Sequence, residues 1–250
     1  MKILFLDIET SPNIAYVWRL IKYTIPADHI VEAGRTLCWS AKWGNSKELM
    51  FSGLNTHSFD EMIYKVWELL NEADAVVHYN GKKFDIPTLN REFAWLGLPP
   101  PEPFGHIDLY RVVRQNFNLP SYKLDYVLQY FGLGAKVKHK GMSLWSACME
   151  GDPAAWRHME RYNKGDVKPL EKLYKHLLPW IKTHPNYGLY IDSARPVCTN
   201  CGTHKVQKRG VEHTKTASYQ RYKCTVCGTN MRGRFTIVAP ERRNAILTQA

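Results

Sequence analysis

Residues 2–9, Lys2-Ile3-Leu4-Phe5-Leu6-Asp7-Ile8-Glu9, decide how the rest of the chain is read. The four-residue apolar run predicts a buried strand over residues 2–8 that ends at an acidic cluster. Side chains two apart on a strand point to the same face, so Asp7 and Glu9 lie side by side. Buried like charges raise each other's pKa and cost stability, and a divalent cation reverses both effects. An exposed acidic strand end would carry the same letters, so this pair alone decides nothing.

Working outward, Ala15–Leu20 and Thr36–Trp43 are rich in β-branched and aromatic residues and predict further strands, with Leu49–Ser52 a short one. In residues 58–71, Phe59, Met62, Ile63, Val66, Trp67 and Leu70 fall on one helical stripe behind Ser58 as N-cap. Ala75–Tyr79 reads as a buried strand, residues 85–96 as a helix, Pro99–Pro103 as a break and His106–Leu109 as a strand. Helical patterns follow over Tyr110–Asn116, Lys123–Phe131, Ser143–Met149 and from Pro153 to about Ile181. Asp152-Pro153 supplies a cap and a first-turn proline, while Gly165 and Pro169 leave open one helix or two meeting near Asp166. Strands first, then alternating strands and helices, predict an α/β domain with a mixed sheet flanked by helices. The expected organisation is a domain over 1–192, a linker at Ser193–Pro196, a small cysteine-paired module over 197–238 and a flexible tail over 239–250.

The chain has 250 residues, 44% hydrophobic and 23% charged, enough apolar material for a core. That excludes wholesale disorder, collagen-like repeats and a disulfide scaffold. The longest early apolar run, Ile3–Leu6, falls short of the roughly 7–15 residues of a secretory segment and the roughly 18 of a membrane helix. A cytoplasmic protein without membrane contact is expected. The formal charge is +11, and residues 196–250 carry 10 basic and 2 acidic side chains. A positive field concentrated there suits a polyanion, most simply nucleic acid, although a solvated basic face has the same composition.

Two further motifs matter. In His78-Tyr79-Asn80-Gly81-Lys82-Lys83-Phe84-Asp85 a strand runs into a glycine turn and Asp85 opens a helix, where an acid is also favoured by the helix dipole. In Tyr162-Asn163-Lys164-Gly165-Asp166 the tyrosine and aspartate, four apart, share a helix face. Asp7-x-Glu9, Asn80 with Phe84-Asp85, and Tyr162-x-x-x-Asp166, in that order, resemble the DEDD superfamily of 3′→5′ exonucleases, with their ribonuclease H-like fold. The resemblance covers about residues 1–182. It is to the tyrosine branch, the type found in polymerase proofreading domains; the histidine branch would place His where Arg161 stands.

The resemblance implies that Asp7, Glu9, Asp85 and Asp166 hold two Mg²⁺ or Mn²⁺ ions, which clamp the attacking and leaving oxygens of an in-line displacement. It implies that Tyr162 orients the attacking water and that nucleoside 5′-monophosphates leave from a free 3′ end. Asn80 is a candidate contact to sugar or phosphate, Lys123 a candidate phosphate contact, and Asp108 either a support of the acids or a strand-end cap. The run Lys136-Val137-Lys138-His139-Lys140 either guides the strand or is simply solvated. Single-stranded DNA or 3′ ends are the favoured substrate, with RNA open, as are a structure-specific endonuclease and a non-catalytic nucleic-acid-binding protein. Compact nucleases of this kind are familiar from phages and bacteria, so the cytoplasm of a phage host is included.

Cys198-x₂-Cys201 and Cys224-x₂-Cys227, with 22 residues between the pairs, have the residue types of a closed, structural Zn²⁺ site; two disulfides are the alternative. The module resembles a zinc ribbon. His204 and His213 are spare donors, and Cys38 and Cys148 read as reduced core thiols. Arg221 and Lys223, among other basic residues interleaved with Tyr219, Tyr222 and Phe235, are candidate substrate contacts, since basic groups track phosphates and aromatics stack bases. A small aromatic core or a protein-docking face would use the same residues.

Overall fold

The computed structural model describes residues 1–21, 24–137 and 141–248. They divide into two compact units: Lys2–Tyr174, and Met1 with the chain from Lys175 onward. The first unit contains β1 (Ile3–Thr10), β2 (Ile14–Ala15), β3 (Ile30–Glu32), β4 (Thr36–Trp43), β5 (Met50–Gly53), α1 (Phe59–Glu72), β6 (Ala75–His78), α2 (Asp85–Trp95) and β7 (Gly105–Asp108). After these come α3 (Leu109–Asn116), α4 (Leu124–Tyr130), α5 (Met142–Met149) and α6 (Pro153–Leu177), the last running past the division.

The main sheet has the order β5-β4-β1-β6-β7. β1 is central, antiparallel to β4 and parallel to β6. Its alternation assigns two faces. Leu4, Leu6 and Ile8 pack with Trp39 and Ala41 under Met62, Ile63 and Val66 of α1 and Leu89 and Phe93 of α2. Each such side chain removed from water stabilises the fold by roughly 1.5–3 kcal/mol. The opposite face carries Phe5, whose ring meets Tyr174 of α6 edge-on at 5.4 Å, and Cys38, which packs with Trp156, Met159 and Tyr162. Asp7 and Glu9 share that second face. Ser58 caps α1, as the sequence predicts, and it does so in a capping box with Glu61.

One sequence expectation changes and one open alternative is decided. Ala15–Leu20 is not a strand. Only Ile14 and Ala15 pair, with Glu32 and Ile30, and Tyr16, Trp18 and Leu20 stand in solvent. Strand propensity expresses packing against neighbours, and among the described residues no strand pairs with residues 17–20. The segment from Pro153 is one helix, unbroken through Gly165 and Pro169 to Leu177, because the surrounding packing outweighs the hydrogen bond that Pro169 removes.

In the second unit β8 (Val206–His213), β9 (Ser218–Cys224) and β10 (Asn230–Arg232) form an antiparallel sheet in the order β10-β9-β8. A short helix, α7 (Pro240–Arg243), lies in the segment expected to be tail. The division falls well before Ser193–Pro196, and hydrogen bonding gives a reason: the buried Asn200 amide donates to the carbonyls of Leu178 and Ile181, at 2.8 and 2.9 Å. Among the described residues no helix is long and apolar enough to cross a membrane.

Candidate active site and metal centres

Three elements meet at the C-terminal end of β1. The strand supplies Asp7 and Glu9, and α6 supplies Asp166, with Tyr162 one turn earlier on the same face. Carboxylate oxygens of Asp7, Glu9 and Asp166 all lie within 4.8 Å of one another. Asn163 donates through Nδ2 to Asp7 Oδ2 at 2.7 Å and so fixes that carboxylate. Asp85, the first residue of α2, accepts the Ile8 amide at 3.3 Å, which holds it against the strand at the residue between Asp7 and Glu9.

The turn before α2 aims Asp85. Asn80 has φ +68°, and its amide donates to Asp108 Oδ1 at 2.9 Å; the same oxygen caps α3 through Tyr110 N at 3.2 Å. Asp108 is thus the cap at the end of β7, and it also fixes the turn that leads to Asp85. At Gly81 a Cβ would stand 2.7 Å from His78 Cβ and 2.9 Å from Asp85 Oδ2, so only glycine fits.

The acids resist ionising together. Burial, then the charge of Asp166, raises Asp7 well above the carboxylate range and Glu9 to about 8. Burial raises Asp85 to about 7 against the pull of the Ile8 amide. Lys136 offsets part of this charge: its Nζ lies 2.7 Å from Asp166 Oδ2 and donates to Tyr162 Oη at 3.3 Å. Burial favours the neutral amine of Lys136, but the Asp166 carboxylate outweighs it and keeps the ammonium. The phenol of Tyr162 is pushed up by burial and by Asp166, and it stays protonated. Trp145 hydrogen-bonds Glu9 and meets the Tyr162 ring edge-on at 5.9 Å.

A cleft of about 650 Å³ opens here, lined by Asp7, Asn80, Tyr110, Tyr122, Lys123 and Lys136. Asn80 and Lys123 therefore share it with Asp7 and Lys136. Sequence reasoning missed Asn163 and Trp145, and it read Lys136 as part of a guiding or solvated loop rather than among the carboxylates. Asn163 was within reach as the neighbour of Tyr162; no local pattern marks the other two. Lys138 and Lys140 lie outside the described residues. Buried carboxylates with raised pKa values, crowded within one ion's reach and balanced among the described residues by the Lys136 ammonium, fit divalent cations.

In the second unit the ligand sulfurs of Cys198, Cys201, Cys224 and Cys227 also lie within 4.8 Å of one another. Cys198 Sγ is 3.5 Å from Cys227 Sγ, and Cys201 Sγ is 3.6 Å from Cys224 Sγ; all four cysteines are unbridged. Tetrahedral Zn²⁺ with bonds of about 2.3 Å needs sulfurs about 3.8 Å apart, which this set approaches. The amides of Val226 and Cys227 donate to Cys224 Sγ, both at 3.4 Å; burial would raise that thiol, but these donors outweigh it and bring it to about 7. His204 and His213 bond elsewhere, to Pro196 O and Ser218 Oγ.

Strand register sorts the basic residues. Arg221 pairs with Arg232, and Lys223 with Gln207 and Asn230, on one polar, exposed face. Tyr222, opposite Met231, lies on the other face and lines a cavity of about 340 Å³ with Val206. Tyr219 lies under the Arg232 guanidinium, 4.4 Å from its ring centre, and Phe235 is exposed.

A mixed sheet whose central strand ends in clustered acids defines an α/β domain of the ribonuclease H-like class. A model of the RNase H superfamily matches residues 38–178, more than half of the chain, and the chain belongs to that superfamily. It is 35% identical over 83 residues to Protein NEN3 of Arabidopsis thaliana, covering 32% of this chain and 16% of that protein. It is 28% identical over 142 residues to a DNA polymerase of Pyrococcus glycovorans, covering 48% of this chain and 18% of that one. The chain thus spans less than a fifth of the length of these relatives. The structure of the family B DNA polymerase from the hyperthermophilic archaeon Pyrobaculum calidifontis superposes with a TM-score of 0.56 at 21% identity, over 71% of this chain and 24% of that one.

Proposed function

We propose that the protein is a metal-dependent 3′→5′ exonuclease, acting on DNA in the cytoplasm and releasing nucleoside 5′-monophosphates. The gathering of Asp7, Glu9 and Asp166 around one point, with Asp85 held beside them, carries this reading. These four acids would hold two Mg²⁺ or Mn²⁺ ions, which when bound supply the charge that activates water and stabilises the departing oxygen. Asn163 keeps Asp7 oriented. Tyr162 accepts or donates a hydrogen bond as a neutral phenol and so positions the attacking water rather than removing its proton. Asn80 and Lys123 contact the 3′-terminal sugar and phosphate from the cleft wall. Lys136 neutralises Asp166 before substrate arrives. Four cysteine thiolates would hold one structural Zn²⁺, and the Arg221 and Lys223 face grips the strand. DNA is favoured because polymerases named for DNA are among the relatives.

Digestion of 5′-labelled single- and double-stranded DNA and RNA tests the reading, with Mn²⁺ or chelator, for wild type, Asp7→Asn and Tyr162→Phe. Stepwise shortening from the 3′ end is expected in Mn²⁺ alone. Asp7→Asn abolishes it, and Tyr162→Phe slows it roughly 10²-fold with little change in binding. Cutting that persists when the 3′ end is blocked, or that ignores both chelator and Asp7→Asn, rejects the proposal.

A further inference from the structure

The first unit carries one feature that the site does not use. Between β1 and β4 the chain leaves the sheet as an arm whose base is tied by Ser11 N to Arg35 O at 2.9 Å and by Gly34 N to Asn13 Oδ1 at 2.6 Å. Beyond that base, strands of two and three residues pair only with each other. An isolated two-stranded ribbon is marginal in water. This one also exposes Tyr16 (77%), Trp18 (85%), Leu20 (94%) and Ile21 (78%), with Val17, Ile25 and Val31 beside them. Tyr16 and Trp18 alone bring roughly 300 Å² of burial potential. The aliphatic side chains carry the arm toward the roughly 800 Å² that each partner gives a standard interface. A monomer rarely leaves that much contiguous apolar surface in water.

We propose that the arm, residues 14–21 and 24–32, is a self-association surface on which two copies of this chain pair arm to arm. Charge selects this occupant. The chain is formally +11, yet residues 14–32 are neutral, with Arg19 and Lys22 against Asp28 and Glu32. Nucleic-acid affinity comes chiefly from neutralised phosphates, which a neutral arm does not supply; Tyr16 and Trp18 offer rings, but Val17, Leu20 and Ile21 offer bases nothing to stack on. Two strongly basic molecules repel each other, so a neutral, projecting segment is where they can meet. A two-fold contact also needs a self-complementary patch. Arg19 on the outgoing limb and Asp28 and Glu32 on the returning limb provide both signs, and none of the three makes an ion pair among the described residues. Paired across a two-fold axis, Arg19 of each copy meets the acids of the other while Trp18 and Leu20 are buried between them.

Sedimentation velocity of the full chain over a concentration series tests this, alongside Trp18→Ser/Leu20→Ser and Arg19→Glu. The wild type is expected to pass from monomer to dimer. The double variant shifts the dissociation constant upward by at least about tenfold. Arg19→Glu, which leaves the apolar side chains in place, also weakens the dimer. Circular dichroism matching the wild type shows that the sheet is intact. A wild type that stays monomeric at every concentration, or a double variant that dimerises equally well, overturns the proposal. So does a monomeric wild type whose single-strand binding falls with the double variant, which assigns the arm to nucleic acid.

Discussion

At the residue scale, His78 shows what burial does to a side chain beside the site. Burial, aided by the charges of His106 and Lys82, holds its imidazole down at about 3. Its Nε2 lies 3.3 Å from His106 Nδ1, and its Nδ1 lies 3.8 Å from Asp108 Oδ2. The unfolded chain has the ordinary value of about 6.5, so between about 3 and 6.5 the unfolded state binds more protons than the folded one. His78 therefore costs nothing above pH 6.5 and progressively destabilises the fold as pH falls, by about 1.4 kcal/mol per pH unit. Denaturant titrations at pH 7 and pH 5 should show His78→Gln losing about 2 kcal/mol less than wild type over that interval. Equal losses would mean that the imidazole is hydrated in the fold. Nothing in the sequence around His78 announces this, because its neighbours His106 and Asp108 arrive from β7. The acids were legible for the opposite reason. Asp7 with Glu9, and Tyr162 with Asp166, each take their geometry from one element's own periodicity. Lys136 reaches Asp166 from outside any helix or strand, and no periodicity describes it.

At the element scale, the legible parts are those whose pattern agrees with their packing. The stripe of α1 and its capping box gave a helix because one face is apolar and Ser58 satisfies its first amides. Ala15–Leu20 misled because an apolar, β-branched run fits an unpaired arm as well as a strand. Gly165 marks a different constraint. Glycine inside a helix costs about 1 kcal/mol relative to alanine, yet α6 keeps it in its middle. A Cβ there would come within 2.6 Å of Val137 Cγ2, the neighbour of Lys136. Gly165→Ala should therefore leave the melting temperature unchanged or slightly higher while pushing Val137 outward and slowing digestion severalfold. Thermal melts and digestion rates on the same preparation check this, and a variant that is both stable and fully active would release Gly165 from the site.

At the scale of the whole molecule, most of the net positive charge and the clustered acids belong to different units. The acids lie in Lys2–Tyr174, and the exposed Arg221 and Lys223 face lies in the other unit. Composition alone located that charge, but it did not show that Tyr222 turns away from it, since which face a strand residue takes depends on register. Removing two phosphate contacts lowers the slope of log affinity against log salt by about 1.4 on single strands. Arg221→Ala/Lys223→Ala should show that fall in titrations of labelled oligonucleotide across salt, with thermal stability unchanged; an unchanged slope would assign this face to another partner. β1 ties the molecule together in one further respect. Leu4, Leu6 and Ile8 bury one side of it while Asp7 and Glu9 emerge on the other, and a slip of one residue would exchange the two sets. On the proposed function, competence would be its own certificate of correct assembly: a chain slipped by one residue forfeits its interior and its clustered acids in the same step, so no durable, half-competent nuclease should accumulate.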